Sequence, residues 1–187
     1  LFNRFKLFLY EMKHPDHPWL TQQANIILSS WLKKTYVGLE WGSGRSTIWF
    51  ARLVKHLTSV EHDIVWYKKV RKELFKYNLT NVRLVYAKNK QSYIGVVDEF
   101  EDNSLDFVLI DGLYRDECAL RAIGKVRPGG FLIIDNANRY LPSTSKSPAS
   151  RTWKDGPASA IWAELSKLLG EWRCIWTSNG VFDTAIY

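Results

Sequence analysis

Cysteine is scarce. The 187 residues hold only two, Cys118 and Cys174, far apart in the chain. That excludes a disulfide framework and any cysteine spacing suited to a metal. It fits a reducing cytoplasm, which is the expected compartment. Cys118 falls in an apolar helical pattern, where an inert buried thiol is expected. Long apolar runs are also absent. No stretch of about 18 apolar residues occurs, so no membrane span is expected. The opening Leu1 to Tyr10 is apolar and basic but lacks a small-residue cleavage site. The chain opens on Leu1 rather than Met, which leaves truncation or processing open. No internal repeat is visible.

Aromatic residues, by contrast, are plentiful at 14%, with nine Trp. Trp is costly on open surface, so these rings fill a core or line a pocket. A chain of this length suits one domain. It buries roughly 70% of its unfolded surface and needs no staple to fold. The formal charge is +7. Such a balance suits nucleic acid, an anionic surface or an acidic substrate. The basic residues are scattered, however. Their densest cluster, Lys68, Lys69, Arg71, Lys72 and Lys76, reads as the solvated face of one helix.

Short apolar runs alternate with helical patterns through the middle of the chain. Residues 36–40, 57–61, 82–86, 106–111 and 131–135 read as strands, and 46–55, 64–77 and 114–126 as helices. That alternation implies βαβ units and a parallel sheet. Asp63 is placed to cap the helix after it, and Asn78 to end it. In that helix Tyr67, Val70, Leu74 and Tyr77 form one stripe, with the lysines opposite. Pro128-Gly129-Gly130 predicts a turn into a buried strand. Before Tyr36, His14-Pro15-Asp16-His17-Pro18 breaks helix, and a helix follows over 20–33. Residues 1–35 read as a helical cover and 36–187 as the main domain. The Ser-, Pro- and Lys-rich segment 139–157 is long for a compact domain and predicts a functional or disordered loop. A helix over 158–169 and strands over 172–177 and 181–187 complete the chain. Asn179-Gly180 predicts a hairpin that makes the last two strands antiparallel.

The most informative stretch runs from Val37 to Thr47: a strand, the acid Glu40, the turn Gly42-Ser43-Gly44, then a helix start. Glycines let backbone pass close to a ligand, and strand C-terminal ends bind ligands in open α/β sheets. A dinucleotide site would place a third glycine where Thr47 stands. Glu40 beside the turn suits a cation such as an amino group or a sulfonium. Glu61 follows Glu40 by 21 residues, at the end of the next strand. An acid there suits the two hydroxyls of a ribose. Solvent-facing caps are the alternative for both acids.

Glu40-Trp41-Gly42-Ser43-Gly44 resembles the Glu-x-Gly-x-Gly signature of class I S-adenosylmethionine-dependent methyltransferases. Ser46-Thr47, Ile110-Asp111-Gly112 and Asp135-Asn136 extend the likeness to a bacterial subfamily of that class, over about residues 36–136. The resemblance implies a Rossmann-like α/β fold: a doubly wound, seven-stranded sheet, mostly parallel with the last strand antiparallel, and helices on both faces. It implies S-adenosylmethionine as cofactor. Glu40, Gly42, Ser43 and Gly44 would face its methionine end, and Ser46 and Thr47 would donate to its carboxylate. Glu61 would hold the ribose, with His62 or Asp63 beside the adenine and Lys88 near the adenine edge. Asp111 and Gly112 would lie near the transferred methyl.

Asp111, Asp135 and Asn136 at neighbouring strand ends offer three oxygens to a hard cation such as Mg²⁺. That set is similar to the catechol O-methyltransferase type. The lysine that serves as base there is missing, with Tyr114 and Arg115 in its neighbourhood. Binding of cofactor and acceptor without a metal is therefore favoured. Asp111 and Asp135 are candidate bases by location, and His14, His17 and His62 by chemistry. Arg115, Asn136 and Arg139 are candidate acceptor contacts, with exposed salt bridges as the alternative for the arginines. The loop 139–157, with Trp153, would close over the acceptor. The expected activity is O-methylation of a small-molecule or sugar hydroxyl. Methylation of nucleic acid is disfavoured, because no Asn/Asp-Pro-Pro-Tyr motif is present. A non-catalytic relative is the third reading.

Overall fold

The computed structural model describes residues 2–187; Leu1, the first residue of the apolar and basic opening, lies outside them. Seven strands form one sheet: β1 (Val37–Trp41), β2 (His56–Glu61), β3 (Val82–Tyr86), β4 (Leu105–Ile110), β5 (Val126–Asp135), β6 (Ile175–Ser178) and β7 (Asp183–Ile186). Their order is β3-β2-β1-β4-β5-β7-β6. All neighbours pair in parallel except at β7, which is antiparallel to both β5 and β6. The expected Rossmann-like, doubly wound sheet with its last strand reversed is the fold observed. The winding changes direction between β1 and β4, which opens a crevice beyond their C-terminal ends.

Among the described residues seven α-helices accompany the sheet: α1 (Phe2–Lys13), α2 (Gln22–Trp31), α3 (Arg45–Ala51), α4 (Ile64–Lys76), α5 (Lys90–Gly95), α6 (Arg115–Ala122) and α7 (Ala160–Leu169). Strand side chains alternate between faces, and this sorts two cores. Val108, Ile110, Leu132 and Ile134 pack with Tyr93 of α5, Cys118 of α6 and Trp162 of α7. Phe107, Leu109, Phe131 and Ile133 pack with Leu28 of α2 and Phe50 of α3. Phe50, Phe107 and Phe131 pack in a row, with centroids 4.9 and 5.9 Å apart, the second pair stacked.

Local signals place several boundaries. Asp63 caps α4 by accepting from the Trp66 N–H at 2.7 Å. Val70 and Leu74 are buried while the α4 lysines face solvent. Asn78 follows α4 in the left-handed region at φ 52°. Other boundaries moved. The sixth helix stops at Ala122, because Ile123–Lys125 tightens into a 3₁₀ turn and Val126 already pairs with Leu105. Pro128-Gly129-Gly130 is a bulge inside β5 rather than a turn before it. The last hairpin has a four-residue loop, Asn179–Phe182, closed by the Asn179 side chain accepting from the Val181 and Phe182 N–H groups. Helix α1 falls within the helical cover expected over residues 1–35 but was not placed as an element of its own, and α5 had no counterpart in the sequence.

The segment 139–157 is a pinned loop. Buried Asn138 donates to the Pro148 carbonyl and accepts from the Asp183 N–H, and Ser147 donates to Asp183 at 2.6 Å. These bonds lay the loop against the β6–β7 hairpin.

Candidate active site

Past the ends of β1 and β4 lies a cleft of about 710 Å³, lined among others by Gly42, Ser43, Gly44, Ser46, Glu61, His62, Asp111, Gly112 and Arg115. That volume is ordinary for a small-molecule site. Its floor is the contact between two strand ends. Gly42 has φ 93°, and a Cβ there would sit 2.7 Å from the Asp111 carbonyl oxygen. A Cβ on Gly112 would meet the Gly42 nitrogen at 2.9 Å and overlap the Tyr93 hydroxyl. The two chains touch backbone to backbone, so only glycine fits either position.

Glu40 does not line the cleft. It is fully buried beneath the turn and accepts from Ser46, Thr47 and Ser59 hydroxyls, the last two at 2.7 and 2.6 Å. Burial pushes its carboxyl up to about 7, against the pull of those three donors. Thr47 also accepts from the Gly44 N–H at 2.8 Å. Glu40 thus ties the turn to α3 and β2, and the Ser46 and Thr47 hydroxyls expected to reach a ligand point at Glu40 instead.

Glu61 stands at the cleft wall. One oxygen accepts from the Ser43 N–H and hydroxyl at 3.2 and 2.9 Å. The other accepts from the His62 and Asp63 N–H groups at 2.8 Å, with His62 Nδ1 at 3.0 Å. These bonds hold the carboxylate against the glycine turn.

Asp111, directly after β4, and Asp135, the last residue of β5, lie against each other. Burial raises both carboxyls above the usual range, and the Asp111 charge adds to the rise at Asp135. Arg115 opposes the rise. Its guanidinium donates to Asp111 Oδ1 at 2.8 Å and to the main-chain oxygens of Asp111, Gly112 and Asp135. Asp135 is buried, and its oxygens accept from Thr184 at 3.0 Å and Asn136 at 2.8 Å. A divalent metal does not fit this set. The Arg115 cation is already bonded to Asp111, both Asp135 oxygens accept from protein donors, and no cluster of three His, Cys, Asp or Glu poised for a metal occurs among the described residues.

Other expected contacts fall outside the cleft lining: Lys88 and Arg139 are exposed, and half-buried Asn136 donates to Asp135. His14 and His17 pack against Tyr10, His17 edge-on, and the Tyr10 hydroxyl is 2.7 Å from His17 Nδ1. No residue of loop 139–157 lines the cleft, and Trp153 points to solvent.

The structure adds Trp19, Arg45 and Trp66, none of which stood out in the sequence. Trp66 donates from its indole to the Ser43 carbonyl. Arg45 stacks on Trp19 at 4.9 Å. Its Nη1 is buried with no hydrogen-bond partner among the described residues. Arg45 directly follows the glycine turn, and Trp66 lies three residues after the Asp63 cap. Those positions were the available signal.

No protein-family model matches the chain, and no curated protein does. Solved structures do. A methyltransferase-like protein from Silicibacter pomeroyi superposes with TM-score 0.63 at 23% identity, covering 91% of this chain and 87% of its own. A protein assigned as a caffeoyl-CoA O-methyltransferase from Staphylococcus aureus gives 0.63 at 15% identity, covering 96% and 90%. A protein assigned as a methyltransferase from Streptococcus mutans, in complex with SAH, gives 0.60 at 14%, covering 88% and 94%. At these identities the likeness establishes the fold: a Rossmann-like sheet of the methyltransferase kind.

Proposed function

We propose that the chain is an S-adenosylmethionine-dependent methyltransferase acting on a hydroxyl of a small molecule or sugar. The observation that carries this reading is the Glu61 carboxylate at the end of β2, bonded to the Gly42-Ser43-Gly44 turn at the edge of the cleft. The residues present fit the donor. The unpaired Arg45 Nη1 suits its carboxylate, Glu61 its ribose hydroxyls, and Gly42 and Gly44 a close backbone approach. His62 and Asp63 would flank the adenine. When bound, the donor supplies an electrophilic methyl on a sulfonium sulfur.

The chain's own part is orientation and proton management. Asp111 is the group on the cleft wall suited to take the proton an acceptor hydroxyl loses as its oxygen gains the methyl. Its raised carboxyl makes it a stronger base than an ordinary aspartate. Arg115 and Asp135 act through Asp111: the guanidinium aims it, and the second carboxyl tunes it. Arg115 is assigned to positioning, since its donors are spent on protein acceptors. Residues 36–187 form the catalytic domain in this reading, and residues 1–35 a cover that lends Trp19 to the cleft.

Calorimetric titration with S-adenosylmethionine, followed by methyl release on a panel of hydroxyl acceptors, tests the proposal. Glu61→Ala is expected to weaken donor binding at least tenfold, with folding checked by circular dichroism. Unchanged affinity would overturn the site, and no binding to the parent chain would overturn the function. A nucleic-acid acceptor is the second reading, favoured by the exposed lysines of α4 beside Trp66. RNA or DNA binding with a steep salt slope would support it instead.

A further inference from the structure

Helix α1 has no buried residue. Phe2, Phe5, Phe8, Leu9 and Met12 are each 39–68% exposed. At about 100° per residue these five share one arc of about 120°. Lys6 and Lys13 flank one edge of the arc and Arg4 the other. The opposite side rests on the protein: Leu7 and Tyr10 face Gln22, Ile26 and Asn179 across a crevice, and Asn3 donates to the Gly180 carbonyl at 3.4 Å. The fold therefore holds the helix by the side bearing Asn3, Leu7 and Tyr10 and turns the five-residue apolar arc outward.

We propose that α1 lies on an anionic membrane surface, with its five apolar side chains in the boundary between headgroups and acyl chains. Charge complementarity chooses this occupant. Cations border the apolar face on both sides, Lys6 and Lys13 on one and Arg4 on the other, and the one acid of the helix, Glu11, lies beyond Arg4. Lysine and arginine at such edges bury their stems and keep their charges among anionic headgroups. The chain's +7 charge acts in the same direction. Pairing with a second copy is opposed by the same flanks, which would bring like charges together. The area is also small. A helix about 18 Å long and about 10 Å wide presents roughly 200 Å², against the ~800 Å² per partner of a stable interface. No helix among the described residues is long and apolar enough to cross a membrane. The proposed contact is independent of the reaction assigned above.

Co-sedimentation of the full chain with vesicles tests this. Phosphatidylcholine vesicles are compared with vesicles of phosphatidylcholine and phosphatidylglycerol. Binding to the anionic vesicles alone is expected, weakened by high salt. Phe5→Glu with Phe8→Glu should cut it at least tenfold, as should Lys6→Glu with Lys13→Glu. All four side chains are exposed, so the melting temperature should stay near that of the parent. Equal binding to both vesicle types, no binding to either, or full binding by the Phe5→Glu/Phe8→Glu variant would overturn the proposal. So would a concentration-dependent dimer, seen by analytical ultracentrifugation, that this variant abolishes; that result would assign the face to a second copy.

Discussion

The Arg115 guanidinium lies 2.8 Å from the Asp111 carboxylate, and the same group reaches the Asp135 carbonyl at 2.6 Å. One cation therefore joins the ends of two adjacent strands and faces two carboxyls that burial pushes up. Arg115→Ala would leave that pair without a counter-charge. The expected loss of stability is about 2–4 kcal/mol, read by urea denaturation. Arg115→Lys keeps the charge but not the fork, and should recover only part. The sign with pH follows from the raised carboxyls. The unfolded chain releases those protons first, so the loss deepens as pH rises above the ordinary carboxylate range.

Gly42→Ala should unfold the site, whereas Gly44→Ala should not. At Gly42 the positive φ and the Asp111 carbonyl leave no room, and a cost of about 2–4 kcal/mol is expected. At Gly44 the backbone is extended, and a new Cβ would meet only Trp66, at 3.7 Å. That variant should melt near the parent temperature. Any loss of donor affinity it shows then reports on the ligand rather than the fold. Thermal melts paired with titration separate the two.

Glu40 gives the fold a pH dependence of its own. Its carboxyl holds a proton up to about 7 in the folded chain, against an ordinary value of 4.5. Stability from this group is full below 4.5 and is lost as pH rises from there through about 7. The range is about 3 kcal/mol. Glu40→Gln imitates the protonated form and should flatten the slope over that window in denaturation curves taken from pH 4 to 8. A slope unchanged by the substitution would show that Glu40 is ionised throughout.

Arg45→Met removes the unpaired guanidinium while keeping an apolar stem against Trp19. Donor affinity is expected to fall about tenfold, the worth of one charge-assisted hydrogen bond. Stability should hold, because no protein acceptor is lost. Calorimetry with S-adenosylmethionine reads the first and a melting curve the second.

Much of the fold was legible because it rests on local rules. Apolar runs at strand spacing predicted all seven strands, and Asp63 and Asn78 marked the ends of α4. The misreadings share a cause in tertiary context. Pro128-Gly129-Gly130 reads as a turn by propensity, yet pairing of Val126 with Leu105 draws it into β5 as a bulge. Helix α1 carries no N-terminal acid and buries none of its residues; its apolar spacing was legible, but the fold leaves that stripe facing outward rather than packing it on the sheet. Loop 139–157 reads as functional or disordered by composition, but Asn138 and Ser147 pin it to Asp183, a contact 36 residues and more along the chain.

What the amino-acid order determined by itself was the glycine turn between two acids, because backbone that must pass at φ 93° against another strand end admits only glycine. Which atoms face the cleft was decided by the tertiary structure alone. Glu40 and Glu61 are alike in the sequence, each an acid at a strand end. Three hydroxyls from α3 and β2 close over Glu40 and take it out of the cleft, while Glu61 keeps its place on the wall. Arg45 gained its role the same way: burial stripped one of its nitrogens of water, and the fold supplied no acceptor in return.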